Sequence, residues 1–299
     1  MRSVARQRPS SYVVSLPARV IASGQPFPSL VARFSSRYGE LTTRTLTIAL
    51  IVAASLRLIH FLTLIDDWTL GVSIGVDRGI YVSAANRWMA GGSFYLPHQL
   101  AGPYPIQWIG EVLYPPVGLY LFVPFAFLPA ILWWCVPIGL VVAGVWRLRP
   151  SGWVLPLMAF LLLWPRTQEL VLWGNPAMFI LAAETWGLIL GWPAVLILIK
   201  PTLAPFVLVG ANRRSFWLVL ACALAAALPF GALWFDWLRV ITNVTNADWT
   251  YSLNEVPTLL IPILAWLGAT RGGRRGVRRA SQLATATTSI RSTAVAPSS

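Results

Sequence analysis

The chain has 299 residues, of which 57% are hydrophobic and only 11% are charged. An ordinary soluble domain carries roughly 25% charged residues, so the composition excludes a typical water-soluble globule. The chain also contains 16 Trp residues, and the amphipathic indole ring prefers the boundary between water and lipid. The composition therefore indicates a membrane protein.

The charged residues are distributed unevenly along the chain. The formal net charge is +13, and in a soluble protein such an excess would suggest a nucleic-acid partner. Here most basic residues lie in the terminal stretches 2–44 and 271–291, whereas most carboxylates lie within 66–113 and 236–255. Because cytoplasmic segments of membrane proteins are enriched in Lys and Arg, we expect both termini in the cytoplasm, both acidic loops outside, and no nucleic acid among the partners.

This pattern predicts three regions. Residues 1–44 form a flexible basic cytoplasmic arm, residues 45–269 a transmembrane domain, and residues 270–299 a disordered basic tail with little apolar surface to bury. The arginines of the tail should be attracted to anionic headgroups, so membrane lipid is an expected partner. We expect an integral, multi-pass protein of the cell membrane.

The first predicted span covers residues 45–65, about the 20 residues that a hydrocarbon core requires. Arg57 and His60 lie within it, on one helical face. An ionisable group at this depth is costly, and it serves either the structure or catalysis. We favour a structural role, in helix packing or in contact with a headgroup.

A long polar interval, 66–113, follows this span, and loops of this length in compact proteins are usually functional. Ile80, Ala84 and Trp88 stand near helical spacing within it. We expect a short helix over 80–89, lying on the outer surface and ending at Gly91 and Gly92.

The remaining apolar runs predict an all-α fold, a polytopic helical bundle of about eight spans, some of them short or broken. Arg147 and Arg149 oppose this assignment because they would lie outside. For 153–183 the alternative is a pair of half-helices that dip from one side, with their ends shielded by protein or a water-filled cavity. The predicted spans after the first are 117–130, 131–146, 153–164, 170–183, 186–210, 216–235 and 256–267.

Lys200 is the only lysine of the chain, and Pro201 follows it. Proline lacks the N–H that would close a helical turn, so we expect the helix to break there. An ammonium group beside such a break either pairs with an anionic ligand or marks the interfacial end of a span.

Several short motifs follow one another in a fixed order. The order resembles that of the polyprenyl-phosphate-mannose-dependent mannosyltransferases of the glycosyltransferase-C superfamily, over roughly residues 45–260. Because the chain ends before the further spans usual in that family, we expect a shortened member. The motifs are Asp77-x-x-x-Tyr81, Ala84-Ala85, Gly91-Gly92-Ser93-Phe94-Tyr95, Tyr114-Pro115-Pro116, Gly174-Asn175-Pro176 and Lys200-Pro201-Thr202.

The resemblance implies an inverting transfer of a sugar, expected to be mannose, from a polyprenyl-phosphate carrier to an acceptor hydroxyl on the outer face of the membrane. The partners are then this donor and a glycan or glycolipid acceptor, with no cofactor and no metal. Asp77 is the expected general base, because it stands in the D-x-x-x-Y context. The alternative for Asp77 is a helix N-cap.

The other expected site residues would contact substrate, and Lys200 would bind the donor phosphate. Asp66 and Asp67 are more often solvated flanks of a span, and tyrosines near an interface are usually anchors. The alternative function is a non-catalytic protein that binds or transports lipid-linked sugars. The expected substrate-binding residues are Lys200, Tyr81, Tyr95, Tyr114, Asn175, Asp66 and Asp67.

Overall fold

The computed structural model of the protein describes residues 37–65, 74–107, 110–246 and 249–269. The chain divides into two units, 1–42 and 43–299. Only the start of one helix is described in the first unit, and the other described residues belong to the second. Most of the predicted basic arm, the tail 270–299, and Asp66 and Asp67 lie outside the described residues.

The described part of the chain is helical and contains no strand, which confirms the all-α fold class. Short 3₁₀ segments continue or join the α-helices, at 116–118, 152–154, 192–199, 201–210, 228–230 and 249–255. The α-helices are α1 (Arg37–Ile65), α2 (Val76–Met89), α3 (Pro97–Ala101), α4 (Leu119–Phe127), α5 (Leu132–Leu148), α6 (Leu155–Leu162), α7 (Pro165–Trp173), α8 (Ala177–Leu190), α9 (Arg214–Ala227), α10 (Leu233–Asn243) and α11 (Val256–Leu267).

One described helical segment, Gly39–His60 in α1, is long and apolar enough to cross a membrane by itself. Two bent pairs also qualify if each counts as one span: Pro116–Phe127 with α5, and Arg214–Phe230 with α10. The remaining apolar helices have 10–17 residues. By length and composition the described part therefore offers one to three spans, and the predicted count of about eight is not confirmed.

One end of the helix set is formed around the start of α2, and we call it the site end. The N–H of Gly75 donates to the carbonyl oxygen of Leu172 at 2.8 Å, which joins α2 to the end of α7. The indole of Trp133, at the start of α5, donates to the carbonyl oxygen of Gly174 at 2.7 Å. The start of α8 lies at the same end, because Met178 packs in one buried cluster with Trp133. The end of α6 adjoins α7, whose Gln168 amide donates to the carbonyl oxygen of Leu162 at 3.3 Å.

The opposite end, which we call the distal end, collects the other termini of the same helices. The side chains of Leu148, Val154, Ile189 and Ala265 pack into one buried cluster there. The N–H of Ser151 donates to the carbonyl oxygen of Gly268 at 2.7 Å. α5 and α8 therefore run from the site end to the distal end, and α6 runs back.

The segment 192–210 folds back on itself. Its two 3₁₀ segments meet at Lys200 and pack against each other, and both begin with a proline within their first two residues. A Cβ at Gly210 would collide with the carbonyl oxygen of Gly191, so the two ends of the segment adjoin. The predicted break at Pro201 is confirmed. The expected span over 186–210 does not run in one direction, because beyond the break the chain turns back and forms a hairpin with Lys200 at its tip.

Several other expectations are changed by breaks in the helices. The helix expected over 80–89 is present as α2, but it begins earlier, at Val76. The expected span 170–183 is divided at 174–176, and 216–235 is bent by 90° between α9 with its 3₁₀ extension and α10. Glycine or proline stands at each break, where φ or hydrogen bonding is incompatible with a continuous helix.

Arg57 has a structural contact. Its guanidinium Nη1 donates to the carbonyl oxygen of Leu163 at 3.0 Å, just beyond the end of α6. The side chain of Gln168 donates to the carbonyl oxygen of Ala54 at 3.1 Å. These bonds attach α1 to the site end of α6 and α7, in agreement with the expected packing role of Arg57.

Candidate functional site

Asp77 lies in the first turn of α2 and is only 5% exposed. The helix begins after Gly75, which has a left-handed φ of 76° and stands at the N-cap position. No side chain caps the helix. The N-cap interpretation of Asp77 is therefore wrong, and its carboxyl group is directed elsewhere.

The carboxyl group of Asp77 meets Asn175. The amide Nδ2 of Asn175 donates to Oδ2 of Asp77 at 2.6 Å, across 98 residues of sequence. The other end of the same amide, Oδ1, accepts a hydrogen bond from the N–H of Ala177 at 2.9 Å. Because Oδ1 is occupied by a donor, the amide orientation is fixed and Nδ2 faces the carboxyl group.

The local sequence explains why Asn175 is held at this point. Gly174 ends α7 with a left-handed φ of 69°, a conformation that glycine adopts without steric cost. The N–H groups of Gly174 and Asn175 return to the carbonyl oxygens of Val171 and Leu170, a Schellman arrangement. Asn175 then leads through Pro176 into α8, so two helix ends define its position.

Lys200 and Glu255 form an ion pair. Nζ of Lys200 donates to both carboxylate oxygens of Glu255 at 2.6 Å, and the two residues are 55 positions apart. The carboxylate is fully buried, and the side chain of Lys200 is 12% exposed. A buried ion pair is stable only if its charges are well compensated, so this contact fixes the tip of the hairpin against the start of α11.

Arg166, near the start of α7, adds a second cation to this pair. Its Nη2 lies 3.6 Å from Oε1 of Glu255, and its Nη1 donates to Oε2 of Glu169 at 3.1 Å. The guanidinium also lies 5.2 Å from the centre of the Trp173 ring. We refer to Asp77, Asn175, Arg166, Lys200 and Glu255 as the charged cluster.

Electrostatics tie Asp77 to the rest of the cluster. Burial raises the pKa of the Asp77 carboxyl above its ordinary value. The hydrogen bond from Asn175 and the positive charges of Arg166 and Lys200 lower this pKa, and the charge of Glu255 raises it. Asp77 is therefore a carboxyl group with increased proton affinity that lies within the field of two cations.

The three candidate tyrosines occupy different places. The ring of Tyr114 has its centre 5.9 Å from Nζ of Lys200 and 5.0 Å from the centre of the Tyr81 ring, so both rings adjoin the cluster. Tyr95 is fully buried, and its hydroxyl donates to the carbonyl oxygen of Tyr114 at 3.0 Å. Tyr95 therefore packs behind Tyr114 and supports it.

The structure thus brings together Asp77, Asn175 and Lys200, with Tyr81 and Tyr114 at their side. Arg166 and Glu255 complete the group, and neither was among the candidates from the sequence. Both are charged residues next to apolar runs, a pattern that suggests a functional role in membrane segments. Asp66 and Asp67 lie outside the described residues. Within the described residues, no group of three or more His, Cys, Asp or Glu side chains could hold a metal ion.

Comparisons with protein families, with curated proteins and with solved structures found no match.

Proposed function

We propose that the protein is a membrane glycosyltransferase. It transfers a sugar, expected to be mannose, from a polyprenyl-phosphate carrier to an acceptor hydroxyl. The observation that carries the proposal is the proximity of a buried acid, Asp77, to two cations, Lys200 and Arg166, at one end of the helix set. The order of sequence motifs around Asp77, Asn175 and Lys200 supports the same function.

Asp77 accepts the proton of the acceptor hydroxyl. As the hydroxyl oxygen forms its bond to the anomeric carbon of the sugar, its proton becomes acidic, and a carboxylate within hydrogen-bond reach removes it. The raised pKa of Asp77 favours this step, because a stronger base accepts a proton more readily. Asn175 holds the carboxyl group in one orientation.

The cations act on the leaving group. The bond between the anomeric carbon and the phosphate oxygen breaks, and the polyprenyl phosphate departs with additional negative charge. Lys200 and Arg166 stabilise that charge in a site of low solvent exposure, where electrostatic stabilisation is stronger than in water. Attack opposite to the departing phosphate inverts the configuration at the sugar.

For the membrane topology we propose six crossings and one re-entrant hairpin. Eight crossings require 165–169 on the cytoplasmic side and 75–77 outside. Gly75 and Asp77 nevertheless bond to Leu172 and Asn175, at the beginning of the assumed crossing 170–183. A single bent crossing over 116–148 removes this conflict. The crossings are then α1, 116–148, 152–164, α8, 214–230 and α11, and the hairpin 191–210 enters from the distal end.

The distribution of charge supports this topology. Arg147, Arg149, Arg213 and Arg214 all belong to the distal end, because Ser215 Oγ donates to the carbonyl oxygen of Leu190 at 3.2 Å and the carbon side chain of Arg213 adjoins Gly191. A cytoplasmic distal end places these arginines inside, as the positive-inside rule requires. Both termini are then cytoplasmic, and the charged cluster is outside, where the expected acidic loops converge.

The test of the function is sugar transfer in membranes that contain the full chain and a radiolabelled polyprenyl-phosphate mannose. Asp77→Asn keeps the size of the side chain, and its own carbonyl oxygen still accepts the hydrogen bond from Asn175. The variant therefore folds and inserts, but the amide has no useful basicity, so we expect transfer to fall by about 10²- to 10⁴-fold.

Asp236→Asn is the matched control, since Asp236 lies in α10 with an exposed arginine, Arg239, at 4.0 Å from its carboxylate. It should retain normal transfer. Normal transfer by Asp77→Asn together with loss in Asp66→Asn or Asp67→Asn would move the base to one of those residues. Donor binding without transfer by the wild-type protein would favour the lipid-linked sugar binder instead.

A further inference from the structure

The two cations of the charged cluster already have an anion. Glu255 accepts both hydrogen bonds from Lys200 at 2.6 Å and lies 3.6 Å from Nη2 of Arg166. Its side chain is fully buried. A donor phosphate that contacts the same two cations would therefore compete with this carboxylate for them.

We propose that Glu255 is an internal counter-anion that occupies the phosphate site formed by Lys200 and Arg166. When the lipid donor binds, its phosphate replaces the Glu255 carboxylate there. This inference rests on the function proposed above. Phosphate and carboxylate oxygens make the same charge-assisted hydrogen bonds to ammonium and guanidinium groups. The structure then corresponds to the donor-free state, in which Glu255 neutralises the two cations.

The position of Glu255 in the chain suits this exchange. It is the N-cap residue of α11, yet its side chain makes no capping hydrogen bond. Its carboxylate can therefore leave the cations without breaking a bond to its own helix. The movement would involve the segment 249–255, which precedes α11.

Side-chain hydrogen bonds attach this segment near the cations. Oγ of Ser252 donates to Oγ1 of Thr202 at 2.8 Å, and the indole of Trp164 donates to the carbonyl oxygen of Asn254 at 3.2 Å. The first bond joins the segment to the same hairpin that carries Lys200. Removing the hydrogen bond between Ser252 and Thr202 should weaken the ion pair between Glu255 and Lys200 without changing any charge.

Charge compensation explains why an internal anion is present at all. Two cations with low exposure and no anion would destabilise the fold, because burial of an unpaired charge is costly. With the phosphate bound, the same carboxylate becomes a surplus negative charge. Glu255 thus stabilises the empty site and lowers the affinity of the filled one.

The experiment measures the binding of polyprenyl phosphate to the purified full chain in lipid nanodiscs. Glu255→Gln removes the competing charge and keeps the shape, so we expect its dissociation constant to fall about tenfold, the order of one charge-assisted hydrogen bond. Polyprenyl phosphate should also raise the thermal unfolding temperature of this variant more than that of the wild type. Adding Lys200→Met should abolish both gains.

Glu169→Gln is the matched control. Glu169 also pairs with Arg166, but its side chain is 30% exposed, so its variant should change the affinity less than about twofold. Ser252→Ala gives a second test that leaves all charges in place, and we expect moderately tighter binding. If Glu255→Gln does not fold, unchanged or weaker binding by Ser252→Ala overturns the proposal.

The outcomes separate this inference from the transferase function. Equal or weaker binding by Glu255→Gln, in a protein that transfers sugar, overturns the inference alone. Tighter binding by the variant, together with no sugar transfer by the wild-type protein, supports the inference and overturns the transferase. An equal gain for inorganic phosphate at the same concentrations would identify free phosphate, and not a lipid headgroup, as the ligand.

Discussion

Asp77 combines burial with one fixed hydrogen bond, and burial dominates its proton affinity. The pKa of its carboxyl is raised above the ordinary 3.8 because the charged form is poorly solvated. A general base must be unprotonated, so kcat/KM should rise with pH along an acidic limb whose midpoint lies above the ordinary range for aspartate. A pH profile of transfer measures this midpoint, and a limb within the ordinary range would contradict the assignment.

Glu255 offers a control for this pH dependence. Its negative charge raises the pKa of Asp77, so Glu255→Gln should move the acidic limb to lower pH. A purely structural role of Glu255 would reduce the rate without moving the limb.

The same pKa shift predicts a trend in stability. The native protein binds the Asp77 proton more tightly than the unfolded chain does. The contribution of this group to stability is therefore fully present below the unfolded pKa and is lost as the pH rises through the native pKa. Asp77→Asn removes the titration, so the unfolding temperature of the variant relative to the wild type should increase with pH over this window.

Glu184 in α8 is a further buried acid, and it lies outside the charged cluster. Its side chain is fully buried, and neither carboxylate oxygen has a hydrogen-bond partner in the described part of the chain. A buried polar group without a partner destabilises the fold by about 1–3 kcal/mol. We therefore expect Glu184→Met to raise the thermal unfolding temperature in detergent, with a smaller change for Glu184→Gln. A lower unfolding temperature for Glu184→Met would indicate that the carboxyl group has a stabilising contact.

At the scale of elements, the connection between α7 and α8 decides where the Asn175 amide lies. Gly174 has a left-handed φ, and a Cβ there would lie 3.1 Å from Cζ2 of Trp134 and 3.2 Å from Cβ of Arg78. These neighbours belong to α5 and α2. The connection therefore packs without space for a side chain between two helices of the site end.

Gly174→Ala should destabilise the protein and displace Asn175 from Asp77. The left-handed conformation alone costs a residue with a Cβ about 1–2 kcal/mol, and the close contacts add to this cost. We expect a lower unfolding temperature and reduced transfer. Gly139→Ala in α5 is the control, because a Cβ there meets nothing within 4 Å and alanine inside a helix is favoured by roughly 0.5–1 kcal/mol. Equal stability of the two variants would contradict the packing argument.

At the scale of the whole molecule, the two ends of the helix set differ in charge. Arg147, Arg149, Arg213 and Arg214 lie at the distal end, and the charged cluster lies at the site end. This polarity suits a protein whose distal end faces the cytoplasm. The orientation can be measured directly.

Cysteine accessibility tests the proposed topology. Cys135 and Cys222 are both exposed, so they are first replaced by serine. We then expect a cysteine at Ser93 to be labelled from outside, and cysteines at Ser151 and Ser281 only from inside. Labelling of Ser93 and Ser281 from the same side would contradict an even number of crossings.

Ser151 distinguishes six crossings from eight. The eight-span assignment places the connection 147–152 outside, whereas the bent crossing over 116–148 places it inside. Labelling at Ser151 from outside would therefore restore the eight-span assignment. Asn212, which lies in the distal connection and is exposed, provides the inside reference in either case.

The sequence by itself determined the features that depend on composition and on nearby residues. It predicted a membrane class, the helix that became α2, the chain break at Pro201, and Asp77, Asn175 and Lys200 as candidates. Apolar content, glycine ends and proline breaks act within a few residues, so a single sequence displays them.

Only the tertiary structure decided which charged side chains contact each other and in which direction the apolar segments run. The pairing of Lys200 with Glu255 joins residues 55 positions apart, and Asn175 reaches Asp77 across 98. The apolar run 186–210 was expected to form one span with a break, yet the chain folds back at Lys200. Hydropathy indicates that a segment is apolar, but it does not indicate the direction in which the chain continues. Ion pairs and fold-back depend on packing between distant segments, and no local pattern in the sequence encodes that packing.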